Sequence, residues 1–142
     1  ILEDEYGATV ERETATNARY EWLGEVAPAD AVALIARSRV LVLSSHHEGG
    51  GRVIGEAVVL GTPVLASRND ASVSLLGVDY PGLFDVGATD QLAVLLDRVE
   101  REPAFTASLQ RWIDERASLF DPARERAAWH DLLAALVPRS TA

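Results

Sequence analysis

Two glutamates, Glu48 and Glu56, stand with seven residues between them, and three consecutive glycines, Gly49 to Gly51, fill the start of that interval. The run Ser44-Ser45-His46-His47-Glu48-Gly49-Gly50-Gly51-Arg52-Val53-Ile54-Gly55-Glu56-Ala57 follows an apolar stretch and leads into a helical pattern. Glycines without side chains let a backbone approach a ligand closely, with amides turned towards it. The helix N-terminus behind them adds roughly half a positive charge. Together they suit an anion such as a diphosphate. A carboxylate accepts hydrogen bonds from two vicinal hydroxyls at once, which makes it a sugar reader. One carboxylate per sugar ring, with diphosphate-binding amides between, is the set a nucleotide sugar needs. The plainer alternative is a common glycine-rich strand-to-helix turn with Glu56 as a solvated helix residue.

Arg52 and Arg68 lie in loops where a guanidinium can meet an anionic group, although a solvated surface position is the commoner role of each. His46 and His47 beside Glu48 invite a metal reading. Adjacent side chains near a strand end point in opposite directions, so lining of a ligand pocket by His46 or His47 is the better reading and no metal is expected. The chain has no cysteine and no lysine, all 13 basic residues being arginine. That excludes disulfides, thiolate nucleophiles, Schiff-base cofactors and the P-loop lysine, and no cofactor is expected. A formal charge of −9 opposes nucleic acid as a partner. No apolar run approaches the ~20 residues of a membrane span, and a cytoplasmic location is the default expectation. With no methionine anywhere, Ile1 reads as the start of a fragment or processed piece.

The elements that must position these residues follow from periodicity. Leu2 to Thr16 reads as the last part of a helix, ended by Asn17, and Tyr20 to Leu23 as a short strand closed by Gly24. Pro28 opens a helix through Arg37. Val40 to Leu43 is a continuous apolar run, as in a parallel strand buried on both faces. A helix from Val53 to Leu60 ends at Gly61; strands at Pro63–Ala66 and Leu83–Val86 flank a short helix near Ala71–Leu76. Beyond Thr89 three helical stripes succeed one another: Leu92, Leu95, Leu96 and Val99; Phe105, Leu109, Trp112 and Ile113; Trp129, Leu132, Leu133 and Leu136. They are core or domain-contact faces. Alternating strands and helices specify an α/β domain with a parallel sheet, whose ligands bind beyond the carboxyl ends of the strands, at the loops after Leu43 and Ala66.

The run Glu48-Gly49-Gly50-Gly51 through Glu56-Ala57, followed by Gly61-Thr62-Pro63-Val64-Leu65-Ala66-Ser67, resembles the core of the group-1 (family 4) glycosyltransferases. Trp22-Leu23-Gly24-Glu25-Val26 and the helix after it match that family too, and the resemblance covers roughly residues 18 to 100. It implies the C-terminal half of a GT-B fold: a Rossmann-like parallel sheet flanked by helices. On this reading residues 1–100 form a nucleotide-sugar-binding domain lacking its N-terminal part. Residues 101–142 form helices that pack on it or cross to an N-terminal acceptor-binding domain, and the chain alone is expected to be inactive. The resemblance implies a nucleoside-diphosphate sugar donor and usually retention of configuration. Glu56 would bind the ribose hydroxyls and Glu48, the catalytic position, would face the transferred sugar. The amides of Gly49, Gly50 and Gly51 would contact sugar and diphosphate, and Leu23, Gly24 and Val26 would lie near the base. Gly50 stands where the family usually has phenylalanine, and the family's arginine and lysine near the domain start are not in this chain.

A narrower resemblance is to the selenosugar synthase group of selenoneine biosynthesis, which joins the sugar of a UDP-sugar to selenophosphate. It rests on Ser44-Ser45, Glu48-Gly49-Gly50, Leu65-Ala66-Ser67-Arg68, Leu75-Leu76-Gly77-Val78-Asp79-Tyr80-Pro81-Gly82 and Phe120-Asp121-Pro122-Ala123-Arg124-Glu125-Arg126. The expected partners are then a UDP-sugar and selenophosphate. The alternatives are a transferase with a carbohydrate or lipid-linked acceptor, a non-catalytic nucleotide-sugar-binding module, and a sugar-nucleotide epimerase of the same fold.

Overall fold

The structure is a computed structural model that describes residues 2–136 of the chain. Backbone contacts divide it into two compact units, residues 1–31 and residues 32–142.

In the first unit α1 spans Leu2–Thr16, and the chain then runs without regular structure to the start of α2, Pro28–Arg37. Proline at the first position of α2 is pre-set for a helix and lacks only an amide that would have no partner there. Tyr20 to Leu23, expected as a strand, has no regular secondary structure: no described strand pairs with it, and Trp22 and Leu23 are exposed. An apolar run becomes a strand only where a neighbouring backbone accepts its hydrogen bonds.

The second unit is built on three strands, β1 (Leu41–Leu43), β2 (Val64–Ser67) and β3 (Leu83–Phe84), in the order β1-β2-β3 with both pairings parallel. Leu41 registers with Val64 and Ala66 with Leu83. Helix α3 (Arg52–Leu60) connects β1 to β2, and α4 (Asp70–Leu76) connects β2 to β3. The helices α5 (Thr89–Arg101) and α6 (Pro103–Arg116), a 3-10 turn at Ala117–Phe120 and α7 (Pro122–Leu136) complete the described residues. The expected α/β architecture with parallel strands is thus the observed one.

The core gathers where the sheet meets α3 and α6. Ile54, Ala57, Val64, Leu65, Ala66, Leu76, Leu109 and Ile113 are fully buried, each large side chain contributing about 1.5–3 kcal/mol of burial. β2 and the short β3 are buried along their whole length; Val42 of β1 is exposed, so the apolar run there covers one face rather than two. Two polar bonds, one buried and one part-buried, tie the layers together. Thr62 Oγ1 donates to the Ile35 carbonyl at 2.9 Å, satisfying an acceptor near the end of α2. Trp112 Nε1 donates to the Leu76 carbonyl at 2.7 Å, doing the same at the end of α4. Of the three C-terminal stripes, Leu95 and Val99 of α5 and Phe105, Leu109 and Ile113 of α6 are buried. No side chain of α7 is.

Candidate donor-binding site

The loop from Ser44 to Gly51 leaves the carboxyl end of β1 and turns into α3. Its last residue, Gly51, makes that turn possible. Gly51 has φ +60°, the left-handed region, and a Cβ there would come within 2.6 Å of Leu75 Cδ1. No other residue fits without strain. Gly49 and Gly50 differ: their φ is not positive, and an added Cβ would meet nothing within 4 Å. Packing does not account for the lack of a side chain at these two positions.

Helix α3 starts in a way that does little for its own stability. No side chain caps it, its first turn holds no acid, and its first residue is Arg52. A cation there opposes the helix dipole, and the leading amides have no intrahelical acceptor. Helix α4 shows the opposite arrangement, with Asn69 as a bonded N-cap and Asp70 in the first turn. The start of α3 and the preceding glycine amides therefore form a region of positive potential with free donors.

The two glutamates sit on this frame. Glu48, in the loop, is half-buried and makes no hydrogen bond or ion pair with any described residue. Glu56, in the second turn of α3, accepts from Arg52 Nε at 2.8 Å; the side chains are 29% and 89% exposed respectively. An ion pair so solvated is worth a few tenths of a kcal/mol, so Glu56 is readily released to another donor. Glu56 also lines an open groove of about 310 Å³ with Val32, Gly55, Val59, Leu60 and Phe120. At Gly55 a Cβ would lie 3.1 Å from the Phe120 ring, so a side chain there would push the ring by a few tenths of an ångström.

The remaining candidates are placed as follows. His46 and His47 are exposed in the loop. Among the described residues no group of three or more His, Asp or Glu is arranged to hold a metal. Arg68 follows β2 and is engaged locally: Nη1 donates to the Val78 carbonyl at 3.1 Å, and Nε lies 3.8 Å from Asp85. Leu23, Gly24 and Val26 belong to the first unit, where all three are exposed and Gly24 has φ +63°. Hence Glu48, Gly49 to Gly51, Arg52 and Glu56 share one loop-helix junction, with no hydrogen bond or ion pair between the two glutamates.

Sequence reasoning missed the role of Tyr80. It is buried, and its hydroxyl donates to the Val64 carbonyl at 2.7 Å and accepts from the Val64 amide at 3.2 Å. Burial pushes its pKa up to about 12, the bond to the Val64 backbone pulling the other way. Its ring lies 5.9 Å from Trp112. At Gly82 a Cβ would come within 2.5 Å of the Val64 carbonyl oxygen. Asp79-Tyr80-Pro81-Gly82 is therefore a brace for the start of β2. The signal available in sequence was one aromatic among turn formers, which marks a turn and not what it grips.

A comparison with curated protein sequences found no match. Among solved structures, the sucrose-phosphate synthase of Thermosynechococcus elongatus superposes with a TM-score of 0.74 at 24% sequence identity. The alignment covers 94% of this chain and 35% of that one. At that identity the likeness speaks for the fold, and the three-stranded parallel sheet with its helices matches part of a GT-B glycosyltransferase. This chain spans about a third of the length of that relative. The sequence pattern of the family described as glycosyl transferases group 1 matches residues 10–118, which contain the loop, both glutamates and every strand. The chain belongs to the group 1 glycosyltransferases.

Proposed function

We propose that this chain is the donor-binding part of a glycosyltransferase that takes a nucleoside-diphosphate sugar, with UDP as the nucleotide. The observation that carries the reading is the start of α3: an uncapped helix end, behind glycines that packing does not require, with one carboxylate before it and one after it. Such a junction suits a diphosphate flanked by two sugar rings. Glu56 exchanges its solvated arginine for the ribose hydroxyls, and Glu48, which has no internal partner, faces the transferred sugar as the catalytic carboxylate. The amides of Gly49, Gly50 and Gly51 hold the diphosphate, with Arg52 swinging towards it. His47 and Arg68 border the pocket. Catalysis is then mostly positioning, plus stabilisation of charge on the departing diphosphate.

The acceptor in this reading is selenophosphate: the anomeric C–O bond to UDP breaks, a C–Se bond forms, and UDP leaves with the electron pair. Support comes from Ser44-Ser45, Leu65 to Arg68 and Phe120 to Arg126, while Tyr80 and Gly82 have packing reasons of their own. The test incubates the full-length protein with a UDP-sugar and selenophosphate, followed by mass spectrometry. A selenium-containing sugar that disappears in Glu48→Ala and Glu56→Ala is expected. UDP release with a carbohydrate or lipid-linked acceptor but no selenosugar would retain the transferase and reject selenophosphate.

A further inference from the structure

The glycine loop is held at both ends by α4 and the residues that lead into it. At its start, the Ser45 carbonyl accepts from Ser67 Oγ at 2.5 Å and from Asn69 Nδ2 at 3.2 Å. At its end, Gly51 lies against Leu75 and Ala71, whose side-chain atoms would stand 2.6 and 3.7 Å from a Cβ added there. Ser67 is fully buried. Between these anchors, His46 to Gly50 form no hydrogen bond with any described residue.

The orientation of the Asn69 amide follows from its partners. Its Oδ1 accepts from the Ser72 amide at 2.9 Å as the N-cap of α4, which only an oxygen can do. The nitrogen must then face the Ser45 carbonyl, an acceptor. One side chain thus starts α4 and fastens the loop to it.

We propose that Asn69 and Ser67 are positioning residues for the donor site. They clamp the Ser45 carbonyl so that the amides of Gly49 to Gly51 stand in ligand-ready directions before the diphosphate arrives. The inference rests on the donor-binding reading above. A loop ordered in advance loses less freedom on binding, and the gain appears as affinity. Ser67 and Asn69 touch no ligand in this account; they act through the Ser45 carbonyl alone.

Asn69→Asp separates the two functions of the side chain, because aspartate caps a helix as well as asparagine does but has no donor for Ser45. The experiment compares wild type, Asn69→Asp and Ser67→Ala in the full-length protein. It records thermal unfolding, hydrogen exchange of the amides of residues 46–51, and affinity for UDP by calorimetry. Asn69→Asp is expected to keep its melting temperature within a few degrees while exchange in the loop quickens. UDP affinity should fall about tenfold, the scale of one lost hydrogen bond to a preformed site, and saturating UDP should slow the exchange again. Ser67→Ala should act in the same direction. Unchanged loop exchange, or quickened exchange with wild-type UDP affinity, would overturn the positioning role while leaving donor binding intact. A wild-type protein that binds no UDP would instead reject the donor-binding reading, and the positioning role with it.

Discussion

Gly50 and Gly51 are neighbours of identical type with opposite reasons for being glycine. Gly51 is held by a positive φ and by Leu75, Gly50 by neither. Gly51→Ala is expected to lower stability by about 1–3 kcal/mol, from left-handed backbone strain and a crowded methyl group. Gly50→Ala should stay within about 0.5 kcal/mol of wild type; urea unfolding of both variants checks this. Loss of nucleotide affinity in Gly50→Ala without loss of stability would place that residue's role in binding. Tyr80 carries a second residue-scale expectation. Its pKa is raised from 10 in the unfolded chain to about 12 in the fold. The stability this reflects is intact below about pH 10 and is lost as the pH rises towards 12, because the unfolded chain releases its proton first. Two units correspond to about 3 kcal/mol. The chain has no lysine or cysteine to titrate in that range, so the alkaline slope belongs chiefly to tyrosine. Tyr80→Phe should flatten the slope, at a loss of about 1–3 kcal/mol at neutral pH from the two bonds to Val64.

Among the elements, what could be read in advance was what rests on local chemistry. Pro28 and Arg37 bound α2 as the sequence suggested, and Gly61, in the left-handed region with φ +72°, ends α3. Strands β1 and β3 fall inside the apolar runs that announced them, while β2 overlaps its run and continues one residue further, to Ser67. The loop-helix junction was equally legible, because glycines, acids and the apolar flanks lie together in the chain. Elements that depend on distant partners were not. Tyr20 to Leu23 has the composition of a strand and no ladder, and Val42 has the composition of a core residue and an exposed side chain. The clamp of Ser67 and Asn69 on Ser45 spans more than twenty residues and leaves no pattern in sequence. One element carries a defect of its own: Ser72 Oγ in α4 is buried with no hydrogen-bond partner. Ser72→Ala should therefore be neutral or stabilising by up to about 1 kcal/mol, since it removes a buried group that gains nothing from the fold. A fall in melting temperature would show that the hydroxyl has a partner in solution.

Across the whole molecule the apolar surface is unevenly covered. Leu109 on α6 is fully buried, whereas Trp129, Leu132, Leu133 and Leu136 on α7 expose between 48% and 68% of their surface. Leu109→Ala should cost about 2–5 kcal/mol, and Leu133→Ala in the same chain less than about 0.5 kcal/mol. No helix among the described residues is long and apolar enough to cross a membrane. The central claim, that the junction of loop and α3 binds a nucleotide sugar, is tested most directly by calorimetric titration of the full-length protein with UDP-, GDP- and ADP-sugars. Wild type, Glu56→Gln and Glu48→Gln would be compared. Saturable binding of a UDP-sugar, weakened at least about tenfold by Glu56→Gln at an unchanged melting temperature, is the expected result. Absence of binding to every nucleotide sugar, or binding indifferent to both substitutions, would contradict the account.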